Sequence, residues 1–266
     1  MKAPLQTLGS RDGKSSVSPT TALGLIVVVL ASAAILATWK PWDRTADVSS
    51  SALPADSPTQ GTATVTATNV AGASNDLVTL MNEGTELVAR GDTEGAIQKY
   101  RAAMKLNPED EEVYFNMAFA YARQGNTNQA IHYYNEALRI FPDYAEAHNN
   151  LGNLLVGLRQ HTNALEHFTA ALKVNPESSS ALNNYGRCLA ELGRPKEAVA
   201  QFSEAIRVNP DYLEARFNLA TTYSILEEYD EAIRQFEELL KKEPGFVLAQ
   251  KGIERAKAKQ TAKQQP

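Results

Sequence analysis

Apolar and polar positions follow three different regimes along this 266-residue chain. Residues 21–39 carry no charge and are mostly Val, Leu, Ile and Ala. As a helix this stretch rises about 28 Å, close to the thickness of a bilayer's hydrocarbon core. Trp39 and Trp42 bracket Lys40 at its end, where an interfacial aromatic belt falls. The pattern predicts one transmembrane helix over 21–39 behind a polar tail at 1–20. A cleaved signal peptide is the competing reading, with Ala31-Ser32-Ala33 as its small-residue site. Cleavage there would leave the apolar residues 34–39 on the mature end, which favours an uncleaved anchor. Lys2, Arg11 and Lys14 precede the span, so the N-terminus is expected in the cytoplasm and the rest outside it, periplasmic in a bacterium. Residues 40–76 are Ser, Thr, Ala, Pro, Gly and Asp with few large apolar side chains. Such a segment buries too little surface to offset its ordering entropy, and it reads as a disordered tether.

From Leu77 onward apolar residues recur at helical spacing in paired stretches such as 113–124 and 128–140, and the pattern restarts every 34 residues. Proline falls at Pro108, Pro142, Pro176, Pro210 and Pro244. Alanine falls at Ala96, Ala130, Ala164, Ala198 and Ala232, and an aromatic at Tyr100, Tyr134, Phe168, Phe202 and Phe236. A small residue falls at Gly84, Ala118, Gly152, Gly186 and Ala220. A fixed period of this length marks a solenoid of supersecondary units. Gly91, Gly125 and Gly193 are placed to end first helices, and each proline stops a second helix. The small residues are expected where two helices of a unit cross, with the aromatic filling the gap between neighbouring units.

These columns resemble the tetratricopeptide repeat (TPR) family, together with Leu87, Tyr121, Leu155, Leu189 and Tyr223. The resemblance implies an all-α, right-handed α-solenoid of five TPR helix pairs at 77–110, 111–144, 145–178, 179–212 and 213–246. A capping helix is expected at 247–259, ahead of a tail at 260–266. Leu248, Ile253 and Ala256 are expected to cover the open end of the array. The family's early tryptophan is replaced by Leu80, Tyr114, His148, Leu182 and Arg216. Arg216 is expected to weaken packing in the last unit.

Composition narrows the chemistry. The formal net charge is −5, and residues 77–246 hold 16 basic and 25 acidic side chains. An acidic array argues against nucleic acid as a partner. One cysteine excludes an internal disulfide and a Cys-pair zinc site. Cys188 occupies a first-helix column held elsewhere by Glu86, Ala120, Leu154 and Thr222, and reads as packed core. His132, His148, His161 and His167 fall in different registers, with no ligand spacing on one face. Glu109, Asp110, Glu111 and Glu112 sit at a helix start, where acids complement the dipole. No metal, cofactor or catalytic constellation is expected, and the chain reads as a binding protein rather than an enzyme.

In the TPR family the first helices line a concave groove. Asparagine recurs there at Asn82, Asn116, Asn150, Asn184 and Asn218. Amides donate and accept together, so a row of them can grip a peptide backbone without reading its sequence. This row is similar to the asparagine ladder in the repeat region of O-linked N-acetylglucosamine transferases, whose catalytic domain has no counterpart here. Neighbouring columns add Phe115, Phe119 and Phe217 as apolar anchors, Asn149, Asn153 and Asn183 as further amides, and Arg187 as the main cation. The two-lysine clamp of chaperone-tail TPRs is missing: its columns read Met81, Phe115, Asn149, Asn183, Phe217 and Val78, Glu112, Glu146, Ser180, Glu214. The expected role is an adaptor for an extended protein segment, in envelope-complex assembly by resemblance to anchored bacterial TPR proteins. An accessory subunit of a separate enzyme, such as a glycosyltransferase, or a self-associating homo-oligomer is the alternative.

Overall fold

A computed structural model describes residues 66–265, with side chains from Asp76 onward. The expected tail at 1–20, the span at 21–39 and the tether as far as residue 65 lie outside the described residues. Among the described residues there are eleven helices and no strand, and no helix is long and apolar enough to cross a membrane.

The helices form hairpins in chain order. They are α1 (Thr66–Ala89) with α2 (Thr93–Leu106), α3 (Glu111–Arg123) with α4 (Thr127–Ile140), and α5 (Ala145–Gly157) with α6 (His161–Val174). Then follow α7 (Ser179–Glu191) with α8 (Pro195–Val208), α9 (Leu213–Ile225) with α10 (Tyr229–Lys242), and the single α11 (Val247–Gln264). Each helix packs on its hairpin partner and on the next hairpin, and first helices also touch across units in the pairs α1–α3, α5–α7, α7–α9 and α9–α11. Helix α1 begins inside the segment expected as tether. Once its amphipathic half from Leu77 is packed against α2, the costly nucleus exists and upstream residues add one hydrogen bond each.

The repeat columns have distinct physical jobs. Ala96, Ala130, Ala164, Ala198 and Ala232 are fully buried. A Cβ on Gly84, Gly152 or Gly186 would meet the ring of Tyr100, Phe168 or Phe202 at 2.4, 2.8 and 2.8 Å. The aromatic thus lies first over the small residue of its own unit, and it also reaches the next one. Phe168 is 6.3 Å from Tyr185 between ring centroids, and Tyr134 is hydrogen-bonded by Asn150. Gly91, Gly125 and Gly193 take φ of 86°, 78° and 75°. In the other two units Arg159 and Glu227 occupy this left-handed turn at φ 63° and 61°, a position where a Cβ is strained.

A tie across four of the five inter-unit turns runs through the family's tryptophan column; at Pro176 the column holds Leu182, which has no donor. Tyr114 donates to the Pro108 carbonyl at 3.0 Å, His148 Nε2 to Pro142 at 2.9 Å, Arg216 to Pro210 at 3.3 Å and Gln250 to Pro244 at 3.0 Å. Arg216 also donates to Gln235 at 3.2 Å. The two terminal nitrogens of the guanidinium are thus bonded, while its Nε is buried without a partner. At the end of the array α11 runs past residue 259 to Gln264. Its inner face is Ala249, Gly252 and Ala256, whose i, i+3, i+7 spacing shares one side. Gly252 lies against Phe236, while Leu248, one position off that face, stays 44% exposed.

Candidate functional site

The first helices α1, α3, α5, α7 and α9 carry every residue expected in the groove, and their arrangement divides the set. Asn82 is exposed, while Phe115, Asn116, Phe119, Asn149, Asn150, Asn153 and Asn184 are half-buried. Asn183, Arg187, Phe217 and Asn218 are buried, with Asn183 fully enclosed.

Burial follows from hydrogen bonds between units. Asn184 Nδ2 donates to Asn149 Oδ1 at 3.0 Å, and Asn218 Nδ2 to Asn183 Oδ1 at 3.0 Å. Arg187 donates to Asn153 Oδ1. Asn150 donates to the Tyr134 hydroxyl, which offsets part of the upward push that burial gives this phenol. Asn116 turns back to its own helix and donates to the Glu112 carbonyl at 3.0 Å. The amide row is thus an inter-unit strap as well as a lining. The expectation of five amides facing a ligand needs correcting at Asn218, and Asn183 and Phe217 likewise point into the stack. A buried amide without a partner is costly, so each finds one.

A column that sequence reasoning did not single out completes the lining. The residues just before the first helices read Asp110, Tyr144, Ser178, Tyr212 and Phe246. The Asp110 and Ser178 side chains cap their helices, accepting from Val113 N at 3.2 Å and Ala181 N at 3.3 Å. The three aromatic residues make no such cap. Their rings reach back over the preceding unit instead. Tyr144 lies 4.9 Å from Phe115 and Phe246 lies 5.5 Å from Phe217 between centroids, and the Tyr212 hydroxyl accepts from Asn183 Nδ2 at 3.3 Å. At Ser178 there is no ring, and a depression opens among Glu146, Asn149, Ala171, Asn175 and Ser178. The signal was available as one more 34-residue column, holding capping residues at Asp110 and Ser178 and rings at Tyr144, Tyr212 and Phe246.

Cys188 is fully buried beside the His161 carbonyl at 3.5 Å, and burial pushes its thiol up to about 11, far from the thiolate a nucleophile needs. Among the described residues no group of three or more His, Cys, Asp or Glu could hold a metal. The histidines do not all stay apart: His148 and His167 meet across the α5–α6 hairpin with Nδ1 atoms 2.9 Å apart. The Pro142 carbonyl can only accept, so His148 carries its proton on Nε2 and accepts on Nδ1 from His167. Burial, then the neighbouring His148, holds the His167 pKa below its ordinary value.

This architecture is that of a helical-repeat protein with an amide-rich first-helix face. Family models described as TPR repeat match residues 84–125, and models described as tetratricopeptide repeat match 109–177, 149–212 and 193–255. The chain belongs to the tetratricopeptide repeat family. No curated protein matches the chain. Among solved structures it is similar to TTC0263, a thermophilic TPR protein of Thermus thermophilus, at 25% identity, covering 68% of this chain and 98% of that one with a TM-score of 0.56. It is similar to pilF of Pseudomonas aeruginosa at 21% identity, 64% and 78% coverage and a TM-score of 0.60. It is also similar to YrrB, described as a TPR protein with an unusual peptide-binding site, at 24% identity, 68% and 94% coverage and a TM-score of 0.55. The latter two likenesses speak to the fold.

Proposed function

We propose that this chain is a non-enzymatic, membrane-anchored scaffold that holds an extended segment of a partner protein along its first-helix face. The observation that carries the reading is the row of amides and aromatics on α1, α3 and α5 that stays open to solvent, from the exposed Asn82 to the half-buried Phe115, Asn116, Phe119, Asn149, Asn150 and Asn153. Amides satisfy a peptide backbone, and half-buried rings supply apolar anchors. The right-handed superhelix of the family would turn this face inward as a groove. The peptide-binding site ascribed to YrrB supports the same role here. The apolar residues 21–39 would anchor the array, with the repeats outside the cytoplasm.

A photoreactive residue placed at Asn116 tests the role in native membranes, with Arg139 on the second-helix side as the control. Crosslinks from the first-helix position to one defined chain are expected. Crosslinks from Arg139 alone would overturn the assignment of the face. An enzyme, an envelope component or a second copy among the captured chains separates the accessory-subunit, assembly and self-association versions of the role. Protease added to intact spheroplasts is expected to remove the repeats, and protection until permeabilisation would reverse the topology.

A further inference from the structure

We infer that the depression between the third and fourth units is a socket for a tyrosine side chain carried by a basic stretch of the partner segment. This rests on the groove reading above and names what that groove recognises.

The next junction of the same protein shows the socket filled. There Tyr212 reaches back over α7, its hydroxyl accepting from Asn183 Nδ2 at 3.3 Å, while Asn183 Oδ1 accepts from Asn218 at 3.0 Å. The Tyr212 hydroxyl also hydrogen-bonds Glu214, and its ring packs on the cluster that contains Ala205. One repeat earlier the same relay is built from Asn149 and Asn184, with Asn149 Oδ1 accepting at 3.0 Å. That leaves Asn149 Nδ2 as the donor end, the position Asn183 Nδ2 holds toward Tyr212. The counterparts of Ala205 and Asn209 are Ala171 and Asn175, and both line the depression. The counterpart of Tyr212 is Ser178, whose hydroxyl turns back to cap α7. The junction keeps a tyrosine's amide donor and its small floor, and it lacks the tyrosine.

Chemistry selects the occupant. A phenol oxygen can accept from Asn149, as Tyr212 does from Asn183, and can donate its proton to the rim carboxylate of Glu146; the counterpart of Glu214 here is Ser180, so the carboxylate comes from the preceding unit instead. A phenylalanine would leave the amide donor without an acceptor. Glu146 and Glu177 border the site, and Glu177 is held only loosely, by Arg207 at 3.9 Å. The array's excess of acids adds to this field, so lysine or arginine is favoured beside the tyrosine. Asn149 belongs both to this socket and to the amide row, which makes the socket continuous with the groove.

The test is selection of random short peptides on the full chain, followed by fluorescence anisotropy of the selected peptides. Tyrosine flanked by Lys or Arg is expected to be enriched. Changing that tyrosine to phenylalanine should weaken binding about fivefold, the worth of one net hydrogen bond. Ser178→Tyr supplies the missing ring from within and should weaken binding at least tenfold, with only a small drop in melting temperature from the lost cap; α5 and α9 form behind uncapped tyrosines at the same position. If that variant unfolds, the tyrosine-to-phenylalanine comparison on the unaltered protein still decides. Selected peptides without tyrosine, or equally tight binding to Ser178→Tyr, overturn the socket and leave the groove reading standing. No selected peptide at all overturns the groove reading, and the socket falls with it.

Discussion

The front and the back of the array use the same sequence columns for different ends. In the second unit Phe115 and Asn116 are half-buried, and Asn116 bonds only within its own helix. In the fifth unit Phe217 and Asn218 are 3% and 4% exposed, sealed by Phe246 and by the Asn183 amide. A column fixes where a side chain sits on its helix. The residue that follows in the next unit fixes whether it faces a partner or the stack. The third and fourth units lie at the change-over, where Ser178 stands between Tyr144 and Tyr212 in its column.

Substitutions can break this contrast. Phe217→Ala should cost about 3–5 kcal/mol of stability, the range for a buried aromatic. Phe119→Ala, half-buried, should cost well under half as much, measured as urea midpoints of the full chain. Similar losses would mean that the front is as closed as the back. Asn218→Ala removes the donor to Asn183 and should cost about 1–3 kcal/mol by leaving a buried acceptor unpaired. Asn82→Ala at the exposed end of the same column should stay within about 0.5 kcal/mol. Thermal melts of the two variants check this, and equal shifts would remove the strap from the account.

Much of this was readable before the structure. The 34-residue columns located the hairpins, the glycine turns and the proline stops, because each has a local backbone cause. The columns did not show which amides bond across units. Asn183 and Asn184 are neighbours in sequence, yet Asn183 is enclosed with Tyr212 and Asn218 as partners while Asn184 ties to Asn149. Those partners lie 29 and 35 residues away, and only the stacking angle of the hairpins brings them together. The His148–His167 contact was hidden for the same reason, since helical register within one element does not describe a meeting of two. The helical start at Thr66 was missed because its composition is that of a linker.

Smaller effects sharpen the picture. His167 has its pKa held below 6.5 in the fold, so below that value the unfolded chain binds more protons. Stability should therefore fall as pH drops through about 6.5 until the folded pKa is passed, with no such contribution above it. His167→Gln should flatten that slope in urea midpoints taken between about pH 5 and 8, and an unchanged slope would assign it to other groups. Arg159→Gly, at φ 63°, should raise stability by about 0.5–1 kcal/mol by relieving the left-handed strain, net of glycine's entropy. A lower melting temperature would contradict this.

Hydrogen–deuterium exchange of the full chain, with and without a selected peptide, tests the central claim most directly. The account predicts slowed exchange along α1, α3 and α5, at the start of α7 and at the C-terminal end of α6 where Ala171 floors the socket, with α2, α4 and α10 unchanged. Protection confined to the second helices, or to the sealed α9, would contradict a partner held on the first-helix face.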